Sequence, residues 1–500
     1  MFLCFIRKRA LAFTSYHNML LKNIKIFAHQ VITTKLKNKG TLYLIIIFNL
    51  LLFAALYAEF EVRSHDHHQV EKYSKDVRQR WENNPDKHPH RMAHYGYLVF
   101  REKHPLGFFD PGIHNFLGNV VFLEAHQQNT INSSEASYSS GLLRFGYLSA
   151  AMILQILAPL LIFFWGFNLV SHNRENGTLK IIFTQGISWK QLLWGNTLGL
   201  YGLALMIFVP AVIFSLLLAL LHDPAIVTAQ FMGRYGLLVL TYSLHFLLIA
   251  MLAVYISARS KSSRSALITL LGVWLLFNLI LPKVATVYGQ TQYPAPSKIV
   301  FGTKVEEELL KLGDSHNPDD PHYQYLKDSV LAAYKVKSTN ELPFNYSGFV
   351  MKEGEKLSAQ AYNKHYDGLL KIYKRQNNIF RFTAIVNPMV AVKQVSMALA
   401  GSDYTTYDDF RAQTEAYRYK LAQTMNNLQI KFISNVRGKR IQGKPDILSK
   451  SHWSQFPDFN YRFLSFSQSL AQEYFSLIAL LVWLLGLGLL VNYSKNLKVI

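Results

Sequence analysis

A run of histidines near the start of the chain has side chains that could bind a metal ion. His65, His67 and His68 offer imidazole nitrogens, and Asp66 adds a carboxylate in the same run. Structural zinc sites combine ligand pairs at characteristic spacings, and this run contains no such pair. We therefore interpret these residues as part of a polar surface.

Motifs for common hydrolytic reactions are absent from the sequence. It contains no Gly-x-x-x-x-Gly-Lys-Ser/Thr loop to hold the phosphates of ATP and no Gly-x-Ser-x-Gly nucleophile elbow. The fragment Glu124-Ala125-His126 lacks the second histidine of a His-Glu-x-x-His metalloprotease pair. We predict that this chain has no catalytic residue, no metal ligand and no bound cofactor.

Six apolar segments dominate the hydropathy pattern. They approach or exceed the length of about 20 residues that a helix needs to cross a bilayer, and they cover residues 41–57, 146–170, 199–221, 235–256, 266–281 and 474–491. An even number of spans places both termini on one side. The sequence thus predicts an all-α integral membrane protein with six transmembrane helices.

The distribution of basic residues predicts the orientation of these spans. If the N-terminus is cytoplasmic, residues 1–40, 171–191, 257–265 and 492–500 lie inside. They hold 16 of the 52 Lys and Arg residues and a single acid, Glu175. This excess follows the positive-inside rule, so we predict cytoplasmic N- and C-termini. The net charge of +21 then needs no nucleic-acid partner, and no recognition motif for one occurs.

Residues 1–40 form a cytoplasmic segment with an amphipathic pattern. An apolar stripe includes Leu20, Ile24 and Val31, with Lys22 and Lys25 off the stripe, which predicts a helix lying in the membrane interface. The alternative is an extension of the first span. Because residues 1–18 have no clear role, Met19 is an alternative start to Met1.

Two long insertions lie on the opposite, exterior side in this topology. Residues 58–144 separate the first two spans, and residues 145–281 hold spans 2 to 5 with the loop 171–191. Residues 282–473 form a large, mainly helical exterior domain between spans 5 and 6, because apolar residues recur there at steps of three and four. Residues 474–500 comprise span 6 and a cytoplasmic tail.

Polar residues within the spans are candidates for lining a transport path. Gln155, His245 and Asn278 lie in apolar segments, where polar side chains are costly. The alternative is that they make hydrogen bonds between helices. No Asp or Glu lies in any of the six segments, so a pump driven by protons is not favoured and energy is expected from another chain.

The loop 171–191 carries the most specific motif. It contains the run Arg174, Glu175, Asn176, Gly177, Thr178 and Leu179, then Gly186-Ile187-Ser188. With the six-span topology, this motif resembles the permease subunit of ABC-2 type transporters. The exterior insertions resemble a bacterial subgroup with a domain of unassigned function (DUF3526-like), through Leu123-Glu124-Ala125-His126 and Gly401-Ser402-Asp403.

The resemblance implies partners and a location. It implies a separate ABC ATP-binding subunit, on which ATP would be bound, and a second permease, either identical or a paralogue. It also implies the bacterial inner membrane as location and export as direction. The coupling-helix contacts to the ATP-binding subunit would be Arg174, Glu175, Gly177, Thr178 and Leu179.

Two other classes of function stay open at this stage. The chain could be a membrane-anchored exterior binding or assembly protein without transport activity, although an anchor needs only one span. It could also be a membrane enzyme that uses exterior histidines and a metal. Neither the cargo nor the role of the exterior domains follows from the sequence.

Overall fold

Six long helices have the length and composition of membrane spans. The computed structural model describes residues 2–132, 134, 148–315, 317, 319–435 and 445–494, with side chains from residue 20 onward. The predicted helical fold with six spans is confirmed; Met1 and residues 146–147 lie outside the described residues. The helices are Lys39–Glu82 (span 1), Ala150–Glu175 (span 2), Trp189–His222 (span 3), Ala229–Arg259 (span 4), Ser263–Gln292 (span 5) and Phe466–Asn492 (span 6).

Span 1 continues well beyond the predicted apolar segment. Its helix has 44 residues, which corresponds to about 66 Å at 1.5 Å per residue, whereas the hydrocarbon core is about 30 Å thick. Residues 58–82 contain neither glycine nor proline, so nothing interrupts the helix before its C-cap, Asn83. Pro85 follows two residues later and prevents its continuation.

The N-terminal helix α1 (Phe2–Lys37) is separate from span 1. Asn38 between them has an extended backbone, and its side chain accepts a hydrogen bond from the amide of Gly40 at 2.8 Å. This is the N-cap geometry that begins a new helix. The alternative that α1 extends span 1 is therefore wrong.

Glycines on span 3 let α1 approach its backbone closely. A Cβ atom on Gly199 would lie 2.8 Å from the backbone oxygen of Ala28, and one on Gly195 would lie 2.4 Å from the Cβ of Phe27. Small residues at such contacts are typical of membrane helices. The predicted apolar stripe of α1 therefore packs on span 3, and its member Val31 is buried there.

The segment between spans 1 and 2 contains a short helix, α2 (Pro89–Ala93), and two strands. Strands β1 (Tyr97–Phe100) and β2 (Val120–Leu123) pair antiparallel, with Tyr97 opposite Leu123. Their aromatic and β-branched residues suit a half-buried sheet. Within the described ranges this is the only sheet, so it is the one exception to the predicted helical architecture.

Short loops connect spans 2 to 5, and one of them contains helix α3 (Thr178–Thr184). The segment between spans 5 and 6 then forms a series of helices, as the spacing of apolar residues predicts. They are α4 (Lys298–Leu312), α5 (Pro321–Tyr334), α6 (Tyr346–Phe382), α7 (Pro388–Leu399), α8 (Tyr404–Phe432) and α9 (Ser451–Ser454).

The two long insertions share one hydrophobic core. Trp81 at the end of span 1, Trp453 in α9 and Phe410 in α8 are all fully buried in it. The indole nitrogen of Trp81 donates a hydrogen bond to the backbone oxygen of Trp453 at 3.1 Å. Segments more than 300 residues apart in sequence therefore fold as one body.

Helix α7 packs among the spans and not within that shared core. Its apolar residues, including Val392 and Val395, belong to the same buried cluster as spans 2, 3 and 4, and it contacts spans 4 and 6. With 12 residues it is too short to cross a bilayer, which is why hydropathy over a full span length does not reveal it.

Candidate functional site

The loop between spans 2 and 3 has a defined conformation. Gly177 and Gly186 flank α3 with φ angles of +76° and +79°, a left-handed conformation that glycine adopts without strain. After the second glycine, Ser188 caps span 3 and forms a capping box with Gln191. The loop therefore presents a short helix that is bounded by two glycines and followed directly by a capped span.

Arg174, at the start of this loop, binds the end of span 4. Its guanidinium donates to the backbone oxygen of Ala258 at 2.7 Å and to that of Ser260. These oxygens belong to the last turn of the helix, where carbonyl groups have no partner within the helix. A cation is favourable at this negative end of the helix dipole.

Glu175 binds the start of span 5. Its carboxylate accepts hydrogen bonds from the amide of Ser263 at 2.9 Å and from the hydroxyl of the same residue at 2.6 Å. An anion at a helix N-terminus is stabilised by the free amide groups and the dipole. Two adjacent residues thus hold both ends of the connection between spans 4 and 5.

Serine hydroxyls reinforce the same junction beneath the loop. Ser257 in span 4 accepts hydrogen bonds from the amides of Val170 and Ser171, both at 3.1 Å, and donates to the backbone oxygen of Phe167 at 2.7 Å. The hydroxyl of Ser171 also donates to that of Ser263 at 3.2 Å. Spans 2, 4 and 5 are therefore bonded together at this end.

Helix α3 has a buried face and an exposed face. Leu179 is fully buried, and Phe183 packs on Trp189 with ring centroids 4.6 Å apart. On the opposite face Ile181 is 59% exposed, and Lys180 beside it is also exposed. Ile181 shares this exposed face with the polar residues Lys180, Thr184 and Gln185.

The five residues predicted to form the contact therefore occupy different environments. Arg174 and Glu175 bind the connection between spans 4 and 5, Gly177 and Thr178 are half-buried, and Leu179 is buried. The sequence analysis did not select Lys180 and Ile181. The spacing of apolar residues could have indicated their exposure. Leu179, Ile182 and Phe183 follow the spacing of a buried helix face, and residue 181 lies outside that face.

Gln155, the first of the candidate path-lining residues, takes part in a polar network between helices. Its amide nitrogen donates to the hydroxyl of Tyr242 in span 4 at 2.7 Å. The hydroxyls of Tyr242 and Ser396 are 2.9 Å apart, and Ser396 in α7 donates to the Asp110 carboxylate at 2.5 Å. Burial raises the pKa of Asp110, and the bonds from Ser396 and Gly112 oppose that effect.

Gln155 and Asn278 both lie where a span departs from α-helical geometry. Ile153–Leu157 and Leu276–Ile280 are π-helical turns, which leave backbone carbonyls without their usual donor. The indole nitrogen of Trp274 donates to the oxygen of Ile156 at 2.9 Å, and Asn387 donates to that of Phe277 at 2.6 Å. Such turns occur frequently at functional sites.

Asn278 and His245 have different surroundings from Gln155. The amide of Asn278 donates to the backbone oxygen of Trp274 on its own helix at 3.1 Å. His245 is fully buried, and neither of its ring nitrogens has a hydrogen-bond partner among the described residues. Of these three residues, Gln155 makes the interhelical hydrogen bond that the sequence analysis considered, and the other two make none to the part of the chain that the structure describes.

The histidine run that opened the sequence analysis lies in the C-terminal half of the span 1 helix. His67 is 2.6 Å from the carboxylate of Glu102, and Lys103 is 2.6 Å from that of Asp66. The ring of His68 bonds to the backbone oxygen of Ser64. These residues take part in polar contacts on the surface of the helix.

Two segments of the chain match known family models. Residues 111–257 match the family described as ABC-2 membrane transporter related, and residues 298–462 match a domain of unknown function, DUF3526. No curated protein matches the sequence. The first match contains Gln155, the loop with α3 and Ser257 of span 4, and the second contains helices α4 to α9.

Proposed function

The chain belongs to the ABC-2 membrane transporter related family and carries a DUF3526 domain, and from that premise we propose that it is the membrane subunit of an ATP-driven transporter. The family match supports a permease-type membrane component, and the six apolar helices make the chain a multi-pass membrane protein. In this proposal a separate ABC subunit binds and hydrolyses ATP. The absence of a phosphate-binding loop from this sequence supports that division.

The proposed orientation has the loop with α3 and both termini in the cytoplasm of a bacterial cell, with the protein in the inner membrane. The excess of Lys and Arg over acids in the short loops on that side supports it. The shared core of the two long insertions would then lie outside. Cysteine labelling from each side of the membrane would distinguish the two orientations.

In the proposed mechanism, the ATP-binding subunit docks on the loop that includes α3. Lys180 and Ile181 supply the exposed contact surface, and the buried Leu179 anchors the helix beneath it. Gly177 and Thr178 form the turn that sets the angle of α3. Closure of the partner on ATP would then push α3 as a rigid element.

One observation carries the proposal: this loop is bonded to both ends of the connection between spans 4 and 5. A displacement of α3 is transmitted by Arg174 to the end of span 4 and by Glu175 to the start of span 5. A solvated turn would need neither bond. The arrangement is suited to rocking spans 2, 4 and 5 together.

A second permease, identical or paralogous, would complete the path. In the most apolar stretch of 18 residues, only 17% of span 5 is buried within this chain, compared with 61% in spans 2 and 4. A partner permease would cover that exposed face, next to the half-buried Asn278. Gln155 and His245 are the other proposed path residues, and export is proposed by family analogy alone.

The test is to purify the tagged full-length chain from its native membrane in mild detergent. We expect an ABC ATP-binding subunit to co-purify, identified by mass spectrometry, with ATPase activity that is lost on nucleotide-site mutation of that subunit. A preparation without such a subunit and without ATPase activity would favour the alternative of a membrane-anchored exterior binding protein.

A further inference from the structure

Three histidines between spans 1 and 2 lie close together in the fold. His90 in α2 and His94 at its C-terminal cap are four residues apart, and their ring centroids are 4.6 Å apart. His126, just after β2, has its ring centroid 5.4 Å from that of His94 and 6.0 Å from that of His90. One ring nitrogen from each residue lies within 4.8 Å of the others.

The backbone of His126 is held in an uncommon conformation. Its φ angle is +63°, in the left-handed region that few residues other than glycine adopt. Its amide donates to the Glu355 carboxylate at 2.7 Å, and its Nδ1 is 3.3 Å from the same carboxylate oxygen. Backbone conformation and carboxylate together fix the position of the ring.

Glu355 is itself fixed in a buried ion pair. It lies in α6 and is fully buried, and Arg418 of α8 donates to its second oxygen at 2.7 Å. The same guanidinium donates to the backbone oxygen of Glu124 at 3.1 Å. A carboxylate on one ring nitrogen is the arrangement that orients metal-binding histidines, and it leaves Nε2 of His126 as the ligand atom.

We propose that His90, His94 and His126 bind a divalent transition-metal ion of the zinc type, with water as the fourth ligand. Imidazole nitrogens suit zinc, copper and nickel, and three histidines with one open position form a known type of zinc site. Zinc–nitrogen bonds of about 2.0–2.1 Å need ligand atoms roughly 3.4 Å apart in a tetrahedron. The ligand atoms, which now lie within 4.8 Å of one another, would move closer together on binding, and His94 is the exposed member of the three.

The three ligands belong to the first long insertion, and the site would reach the second through Glu355. Two ligands lie on α2 and its cap, while the third reaches Glu355 in α6 and, through it, Arg418 in α8. Because an ion that binds only the folded state stabilises it, zinc raises the unfolding temperature of this exterior body. Zinc binding at this site does not depend on a transport activity of the chain.

The test uses the full-length protein in detergent, stripped with EDTA and titrated with Zn²⁺ by calorimetry. We expect one zinc per chain and a higher unfolding temperature with zinc than with EDTA. Co²⁺ in its place gives the visible absorption bands of a tetrahedral site. Binding of less than one zinc per chain, or binding without the thermal shift, contradicts the proposal.

Two variants and one control separate this site from surface binding. His94→Ala removes an exposed ligand, and His126→Asn removes a ligand while retaining a side chain that tolerates a left-handed backbone. Each weakens zinc binding by at least about tenfold, and unfolding in EDTA shows that each is folded. His65→Ala, an exposed histidine outside the cluster, retains wild-type binding. Equal affinity in all variants would overturn the proposal.

Discussion

Glu175 accepts two hydrogen bonds from Ser263, one from the backbone amide at 2.9 Å and one from the hydroxyl at 2.6 Å. These residues end span 2 and begin span 5, so the bond joins two spans that are separated by two others in sequence. With Arg174 on the end of span 4, it makes the loop a mechanical connection between three helices.

The first prediction concerns this connection. Glu175→Lys removes both acceptors and places a cation at the positive N-terminal end of span 5, which is unfavourable. We expect less ATP-binding subunit to co-purify with the Glu175→Lys chain. We also expect the ATPase activity of the purified complex to be lower than that of wild type. Glu175→Gln retains one acceptor oxygen, so its activity should fall between wild type and Glu175→Lys. Undiminished complex and activity in Glu175→Lys would count against the coupling role.

A second prediction concerns the contact between α1 and span 3. Gly199→Leu would place a side chain against the backbone oxygen of Ala28, and such overpacking costs about 1–3 kcal/mol. We expect a lower unfolding temperature and faster proteolysis of α1 in detergent. Gly272→Leu in span 5 is the control, since no atom lies within 4 Å of the Cβ position there. Equal unfolding temperatures and equal proteolysis rates in the two variants would show that the close approach of α1 to span 3 does not determine this stability.

A third prediction concerns Arg234, which is almost fully buried at the start of span 4. Its guanidinium donates to the oxygens of Ala398 and Leu399 at the end of α7, and to the hydroxyl of Ser469 at 2.8 Å. Arg234→Lys keeps the charge but lacks the planar set of donors. Loss of hydrogen bonds from a charged group should cost about 2 kcal/mol or more.

Thermal or denaturant unfolding in detergent would measure the effect of Arg234→Lys. The same substitution at the exposed Arg259, in the same helix, should have a much smaller effect. A stability equal to wild type in Arg234→Lys would show that these bonds do not hold α7 in place.

The fourth prediction is a pH dependence at Asp110. Burial raises its pKa above the ordinary value of 3.8, so the folded protein binds this proton more readily than the unfolded chain. The associated stability is complete below pH 3.8 and is lost as the pH rises through the raised pKa. The free energy of unfolding of wild type relative to Asp110→Asn should therefore decrease from acidic to neutral pH.

Unfolding of both proteins in detergent, at a series of pH values, provides this comparison. Asp110→Asn cannot titrate at this position and retains an oxygen for the amide of Gly112. A difference in stability that does not change with pH would mean that Asp110 keeps the same protonation in both states.

The spans were predictable because a long apolar helix leaves a continuous signal in the sequence. The C-terminal end of the first span was harder to predict from the apolar segment 41–57. The helix continues without a break through residues 58–82, where charged side chains replace apolar ones. Helix α7 could not be found in this way. It is short and contains Lys393 and Gln394, and its burial depends on spans 4 and 6, which are distant in sequence.

The site was predictable only in part, for a related physical reason. The loop motif selected Arg174 and Glu175 as candidates, but their hydrogen-bond partners lie more than 80 residues away in sequence. The link between Asp110 and Ser396 spans 286 residues. By contrast, the four-residue spacing of His90 and His94 was visible in the sequence, and only the approach of His126 required the fold.

The most direct test of the central claim uses the exposed residue of α3. Ile181→Asp places a carboxylate on the proposed contact surface without altering the fold of the chain, because the side chain is 59% exposed. Burying that charge unpaired should cost more than 1.4 kcal/mol, so the affinity for the ATP-binding subunit should fall at least about tenfold. ATPase activity of the complex should fall with it. Ile299→Asp, on the exposed surface of α4, should leave affinity and activity unchanged; equal binding and activity in Ile181→Asp and Ile299→Asp would contradict the account.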